Sequence, residues 1–131
     1  MYSCEYHLVL TTRYRRKIIN TGIFAYLELK LHEITEHYPS LEFQTVNHDK
    51  DHIHLLASIP PTISVGKVVG LIKQNTVRGM KQKFPFLRQV YWGTDHLWSD
   101  SYFVSTAGID PVVLKRYIEN QGQADAVQTA K

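Results

Sequence analysis

Cysteine is almost absent from the sequence, which has only Cys4 among its 131 residues. One cysteine cannot form an intrachain disulfide or a multi-cysteine metal site, and its isolation fits a reducing compartment. We expect Cys4 to be a buried small hydrophobe. The sequence also lacks a run of about 18 apolar residues and a secretory signal at its start, so it predicts a cytoplasmic protein without a membrane span.

Positive charge is in small excess, with a net charge of +3 and a pI near 9.0. This excess supports nucleic-acid binding only weakly, but the basic residues lie in two stretches, and two solvated faces would give the same pattern. Lysine and arginine can neutralise phosphates, and a tyrosine among them can stack on an unpaired base. The candidate DNA-binding residues are Arg13, Tyr14, Arg15, Arg16, Lys17, Lys73 and Arg78.

The hydrophobic pattern predicts seven elements, in the order strand, helix, strand, strand, helix, strand, helix. We expect strands at residues 2–11, 41–48, 52–59 and 97–106, and helices at residues 22–38, 64–85 and 110–121. This order predicts an α+β fold, a ferredoxin-like or RRM-like sandwich with helices packed on an antiparallel sheet. Residues 1–121 are expected to form one domain, with Gly122 ending the last helix and residues 122–131 forming a polar tail.

Two histidines alternate along the third predicted strand, in the segment His52-Ile53-His54. Because successive side chains of a strand point to opposite faces, both imidazoles share one face, opposite Ile53, Leu55, Ala57 and Ile59. Two nitrogen ligands on a rigid strand suit a metal ion, although functionless exposed histidines give the same pattern. Asp51 and His48 are near enough either to support such a site or to be ordinary turn residues.

The last predicted helix carries Val113, Tyr117 and Gln121 at intervals of four residues. This spacing places them on one helix face, so the phenol of Tyr117 and the amide of Gln121 can project together. A tyrosine that packs its ring on the sheet and leaves its hydroxyl in water would show the same spacing.

Taken together, several segments resemble the single-tyrosine HUH transposases, the small IS200-like insertion-sequence enzymes that move DNA as a single strand. The likeness covers nearly the whole chain, through residues 6–9, 12–17, 51–56, 59–65, 97–99, 101–104 and 117–121. Asp100 departs from the family pattern, in which we expect proline between the two serines.

The resemblance implies that Tyr117 attacks a phosphodiester of single-stranded DNA, forming a 5′-phosphotyrosine and releasing a 3′-hydroxyl. It further implies that His52, His54 and Gln121 hold a divalent metal ion, Mg²⁺ or Mn²⁺. The expected partner is the hairpin ends of an insertion sequence, bound by a homodimer. In such dimers the catalytic helix can lie against the histidines of the other subunit.

Three other interpretations stay open at this point. A non-catalytic ferredoxin-like module that binds nucleic acid would explain the charge but not Gln121. A phosphohydrolase built on alternating histidines would need a third histidine where Leu56 stands. A domesticated transposase that acts on chromosomal palindromic repeats would use the same chemistry and the same residues.

Overall fold

The computed structural model describes residues 4–91, 97–106 and 110–130, with side chains of the final helix described as far as Gln121. The described strands form one antiparallel sheet, and they are β1 (Cys4–Thr11), β2 (Glu42–His48), β3 (His52–Ile59) and β4 (Phe103–Ser105). Their order across the sheet is β2-β3-β1-β4. With one crossover helix after β1 and another after β3, this is a ferredoxin-like arrangement, which confirms the predicted α+β fold.

Helices α1 (Thr21–His37) and α2 (Val65–Val77) pack together with one face of this sheet. Most fully buried residues of that layer are aliphatic, as the helical and strand periodicities predict. The cluster includes Leu8, Leu10, Ile53 and Leu55 from the sheet, Ile23, Leu27 and Leu31 from α1, and Val68 and Ile72 from α2. We call this side of the sheet the core face.

Both crossover helices begin with a side-chain cap. The side chain of Asn20 accepts a hydrogen bond from the backbone N–H of Ile23 at 2.9 Å, and Ser64 does the same for Lys67 at 3.1 Å. These oxygens satisfy backbone donors that have no partner within the first helical turn. The prediction for α1 is therefore confirmed to within one residue at each end.

The second predicted helix, at residues 64–85, is wrong in its length. α2 ends at Val77, and a separate short helix, α3 (Met80–Lys83), follows Gly79, whose φ is +74°. The phenol of Tyr26 donates a hydrogen bond to the carbonyl of Arg78 at 2.7 Å, and a Cβ at position 79 would lie 3.0 Å from the same phenol. Gly79, in the left-handed conformation and in contact with Tyr26, therefore separates α2 from α3. Another short helix, α4 (Leu87–Val90), comes next.

The last predicted strand, at residues 97–106, is shorter in the structure. Only Phe103–Ser105 pair as β4, while Trp98 forms an isolated bridge with Thr12. Between them, the amine of Lys73 donates hydrogen bonds to the carbonyls of Ser99 at 2.7 Å and Asp100 at 3.1 Å. Because these carbonyls bind a lysine of α2, they are diverted from a regular ladder with β1.

Helix α5 (Pro111–Ala130) starts where predicted but does not end there. Asp110 caps it by accepting the N–H of Val112 at 2.8 Å, and Pro111 takes the first helical position. The expected end at Gly122 is wrong, because the helical backbone continues to Ala130. An interior glycine costs a helix only roughly 1 kcal/mol relative to alanine, and the residues that follow include several alanines and no proline.

Two remaining expectations concern single features. Cys4 is exposed at the start of β1, so the expectation that it is buried is wrong. Full burial of β1 begins only at Leu8, where the core face is covered. None of the described helices is long and apolar enough to cross a membrane.

Candidate active site

The side chains of β3 alternate between the two faces of the sheet. Ile53, Leu55, Ala57 and Ile59 are buried in the core, whereas His52 and His54 are half-buried on the opposite side. We call this opposite side the histidine face. The predicted placement of both imidazoles on one face is confirmed.

His7 is a third histidine on this face, and sequence reasoning missed it. In the register of β1 with β3, Val9 lies opposite His54 and Thr11 opposite His52, so His7 points to the same side. Its Nδ1 is 3.2 Å from Nε2 of His54. The alternation of β1 could have predicted its face, but the contact depends on a strand register that joins residues 47 positions apart.

The surroundings of His54 favour its neutral form. Partial burial lowers the pKa of His54 below its ordinary value, and positive charge on His7 or His52 would lower it further. A neutral imidazole keeps a free nitrogen lone pair, which is the form that can bind a metal ion.

His52 is held by a neighbouring carboxylate. Its Nδ1 lies 2.9 Å from Oδ1 of Asp51, whose Oδ2 lies 3.4 Å from Nε of Arg15. Asp51 is buried, with 11% of its side chain exposed. Because an ionised carboxylate only accepts hydrogen bonds, this contact favours the proton on Nδ1 of His52, and in the neutral imidazole Nε2 is then the unprotonated nitrogen.

Tyr117 and Gln121 project together from α5, as their spacing predicts. The hydroxyl of Ser101 donates a hydrogen bond to Oε1 of Gln121 at 2.5 Å, and its oxygen lies 3.1 Å from the phenol oxygen of Tyr117. Since a serine hydroxyl has one proton, the phenol donates to Ser101. Ser101 therefore joins the two side chains, a role that no local sequence signal indicates.

The face of the sheet on which α5 lies follows from the ring of Tyr117. Its centre is 5.5 Å from the ring of Phe103, and Phe103 pairs with Val9, which pairs in turn with His54. Phe103, Val9 and His54 therefore project on the same face, so Tyr117 packs on the histidine face of its own chain.

A cavity of about 280 Å³ lies between α5 and the start of β3. Arg15, Asp51 and His52 line one side of it, and α5 lines the other through Pro111, Leu114, Lys115, Ile118 and Glu119. The structure thus brings the histidine strand and the tyrosine helix to one side of the sheet.

The candidate DNA-binding residues differ in how they are held. Arg13 contacts the carboxylate of Asp100 at 3.0 Å, and Lys73 binds the backbone carbonyl of the same residue. Asp100, which departs from the family pattern, therefore connects the two basic stretches. Arg15 contacts Asp51, while the exposed residues of the set are Arg16, Lys17 and Arg78. Their role in binding DNA stays a prediction.

The turn that carries these arginines has an unusual backbone. Tyr14 and Arg15 both have positive φ angles, 60° and 53°. The guanidinium groups of Arg13 and Arg16 lie 5.5 Å and 5.9 Å from the centre of the Tyr14 ring. Consecutive left-handed residues other than glycine are sterically unfavourable, so the surrounding contacts must hold this turn.

In sequence, the chain matches the family model described as IS200-like transposases over residues 1–121. It is 30% identical over 122 residues to the ISDra2 transposase TnpA of Deinococcus radiodurans, covering 92% of this chain and 86% of that protein. It is 27% identical over 124 residues to the transposase of insertion sequence element IS200 of Salmonella typhimurium, covering 95% and 80%.

Solved structures agree with these relatives. A crystal structure of a protein assigned as a transposase from Deinococcus radiodurans R1 matches with a TM-score of 0.77 at 31% identity, over 92% of each chain. A REP-associated tyrosine transposase bound to a REP hairpin matches with a TM-score of 0.60 at 13% identity, over 90% of this chain and 64% of that one. The second likeness concerns the fold alone.

The chain belongs to the family of IS200-like transposases. Its class of activity is therefore DNA cleavage in transposition, and the family resemblance found in the sequence is confirmed.

Proposed function

We propose that this transposase cleaves and rejoins single-stranded DNA with Tyr117 as nucleophile and a divalent metal ion bound by His52, His54 and Gln121. The observation that carries the proposal is that Tyr117 and Gln121, joined through Ser101, pack on the histidine face. A binding module would have no need to place a phenol, an amide and two imidazoles on one side of its sheet.

The residues present fit a metal ion of limited protein ligation. The described residues contain no group of three or more His, Cys, Asp or Glu side chains that could hold a metal. Two imidazole nitrogens and an amide oxygen are a mixed donor set that suits Mn²⁺ or Mg²⁺ and leaves coordination positions for phosphate oxygens. When bound, such an ion would neutralise charge that develops on the scissile phosphate.

The chemistry of cleavage follows from the phenol. The Tyr117 oxygen forms a bond to phosphorus while the bond to the 3′-oxygen breaks, so the phenol loses its proton and the departing 3′-oxygen gains one. The product is a 5′-phosphotyrosine and a free 3′-hydroxyl. Because the covalent bond preserves the energy of the broken linkage, another 3′-hydroxyl can attack it and restore a phosphodiester without ATP.

Positioning must supply much of the activation of Tyr117. A free tyrosine phenol has a pKa of about 10, so little phenolate is present near neutral pH. The hydrogen bond to Ser101 fixes the direction of the phenol, and the ring contact with Phe103 limits its rotation. A nucleophile held in one orientation loses less entropy on reaching the transition state.

Hairpin DNA from the ends of an insertion sequence is the proposed partner. The distant structural relative named above is bound to a REP hairpin, which supports hairpin recognition by this fold. We assign phosphate contact to the exposed basic residues of the set, Arg16, Lys17 and Arg78. Such contacts position DNA without reading its sequence. In a gel-shift titration Arg16→Ala should weaken hairpin binding. An unchanged affinity would contradict the assignment of Arg16 to the DNA-binding surface.

We further propose a homodimer, as the family resemblance implies. The contact of Tyr117 with Phe103 supports a site completed within one subunit rather than between two. Mixing His54→Ala and Tyr117→Phe subunits tests this arrangement, since a shared site recovers activity in the heterodimer. Recovery would replace the self-contained site with one that uses the partner's helix.

The decisive experiment incubates purified protein with labelled single-stranded hairpin oligonucleotides and Mn²⁺ or Mg²⁺, followed by a denaturing gel. We expect a covalent adduct that requires metal and is absent in Tyr117→Phe. Tyr102→Phe is the matched control, because Tyr102 is a half-buried tyrosine that precedes β4. Binding without an adduct in wild type would instead indicate a non-catalytic module.

A further inference from the structure

The carboxylate of Asp51 lies between the imidazole of His52 and the guanidinium group of Arg15. Its two carboxylate oxygens are divided, with Oδ1 facing Nδ1 of His52 and Oδ2 facing Nε of Arg15. Its backbone is held as well, because its carbonyl accepts a hydrogen bond from the backbone N–H of Thr12 at 2.9 Å. The carboxylate therefore has little freedom to turn away from the imidazole.

A carboxylate in this place determines which nitrogen of His52 is available. Neutral imidazole carries one proton, and a hydrogen bond from Nδ1–H to Asp51 keeps that proton on Nδ1. Nε2 is then the nitrogen with a free lone pair, and the orientation of the ring is fixed at the same time. Carboxylates that act on metal-binding histidines in this way raise the basicity of the ligand.

Arg15 holds the carboxylate from the other side. It belongs to the turn in which both Tyr14 and Arg15 adopt left-handed backbone conformations. That turn is fixed by the Thr12 hydroxyl, which donates to the carbonyl of Arg16 at 2.8 Å, and by the phenol of Tyr91, which donates to the carbonyl of Arg13 at 3.1 Å. An unfavourable backbone maintained by several contacts indicates a constrained position for the side chain.

We propose that Asp51 is a positioning residue for His52, and that Arg15 positions Asp51. This inference rests on the proposed function, because it assigns to His52 the role of a metal ligand through Nε2. It also changes the expected role of Arg15, which acts through Asp51 on the metal site, whereas its exposed neighbour Arg16 contacts DNA.

The first test reads the tautomer of His52 directly in metal-free protein without DNA. Two-dimensional ¹H–¹⁵N spectra of histidine-labelled protein at mildly alkaline pH distinguish protonated from unprotonated ring nitrogens, and His52→Gln identifies the signals. We expect a protonated Nδ1 in wild type and in Asp49→Ala, a control that removes a nearby exposed carboxylate. In Asp51→Ala the proton should move largely to Nε2. An unchanged tautomer in that variant overturns the proposal.

The second test measures affinity for Mn²⁺ alone, by electron paramagnetic resonance of the free ion. Loss of a residue that supports a metal ligand typically weakens binding by about 10- to 100-fold, and we expect Asp51→Ala to fall in that range. Arg15→Ala should weaken Mn²⁺ binding less, and Arg16→Ala should leave it unchanged. Equal affinities in Asp51→Ala and Asp49→Ala would overturn the role of Asp51.

Folding and the proposed function are separated by further readouts. Asp51→Leu has a side chain of similar shape without a hydrogen-bond acceptor, so it replaces Asp51→Ala in both tests if the latter fails to fold. If wild type forms no tyrosine adduct, the proposed function fails while the tautomer result still stands. If the adduct forms and the tautomer is independent of Asp51, only the role of Asp51 is lost.

Discussion

The two faces of the sheet differ in what covers them and in what they contain. The core face is covered by α1 and α2, and its cluster of buried residues is hydrophobic. On the histidine face, β1 and β3 present His7, Thr11, His52 and His54, and α5 packs there through Tyr117. The hydroxyl of Thr11, directly opposite His52, is buried without a hydrogen-bond partner among the described residues.

Residues that stabilise the core and residues proposed for the active site therefore alternate along one strand, β3. A buried polar atom without a partner is unfavourable, so natural folds usually tolerate it only where a ligand, water or function accounts for it. The core face contains aliphatic side chains that stabilise the fold by removing apolar surface from water. Substitutions of adjacent residues in β3 should therefore have unrelated effects.

The largest expected effect is the loss of activity in His54→Ala. Removal of this imidazole takes away a proposed ligand, so we expect Mn²⁺ binding and the tyrosine adduct to fall below detection. The thermal midpoint should change little, because His54 is only half-buried. Adduct formation on a denaturing gel and melting by circular dichroism check both statements.

His48→Ala is the control for this substitution. His48 pairs with Ile53, so it faces the other side of the sheet, where its ring lies 4.0 Å from that of Phe24. We expect this variant to retain Mn²⁺ binding. Equal loss in both variants would mean that the two faces are not chemically distinct.

Leu55→Ala should have the opposite pattern, with a large loss of stability and an intact site. Leu55 is fully buried in the core, and removal of a buried leucine side chain typically costs about 2–5 kcal/mol in the free energy of unfolding. Denaturant titration measures the loss. In protein that remains folded the affinity for Mn²⁺ should equal that of wild type, and a matching loss of affinity would contradict the separation of the faces.

The core face was largely predictable from sequence because it depends on local periodicity. The alternation of β3 and the spacing of α1 each place apolar residues on one side. The caps of α1 and α2 are single polar residues. The break at Gly79 was not predictable in this way, because it depends on Tyr26, which is 52 residues from the carbonyl that it binds.

The histidine face was predicted only in part, for the same physical reason. His52, His54, Tyr117 and Gln121 share faces through local spacing or family resemblance. The contacts between elements depend on register and helix docking, so Ser101 at the junction of Tyr117 and Gln121 could not be found. The contacts of Arg13 and Arg15 with carboxylates were likewise hidden behind an apparent basic surface.

A moderate effect is expected for Ser101→Ala, which removes the hydroxyl that joins the proposed nucleophile Tyr117 to the proposed ligand Gln121. A neutral hydrogen bond contributes about 0.5–1.5 kcal/mol, so its loss should slow adduct formation by up to about tenfold. Single-turnover rates at saturating Mn²⁺ provide the measurement. Ser101→Thr retains the hydroxyl and should restore much of the rate.

Ser58→Ala serves as the control, because Ser58 is a half-buried serine far along β3 from His52. Its adduct should form at the rate of wild type. If Ser101→Ala matched that rate, the contact that joins Tyr117 to Gln121 would have no part in positioning the phenol.

The smallest expected effect concerns the continuation of α5 through Gly122. Gly122 lies inside the helix, where glycine is less favourable than alanine by roughly 0.5–1 kcal/mol, so Gly122→Ala should raise the melting temperature slightly. Gly79→Ala should lower it, because alanine at a φ of +74° is strained and its Cβ would approach Tyr26. Opposite signs would establish that one glycine interrupts a helix while the other is contained in one. A decrease in both variants would instead support the sequence prediction that Gly122 ends the last helix. The helix α5 on the histidine face would then be shorter than in the structure.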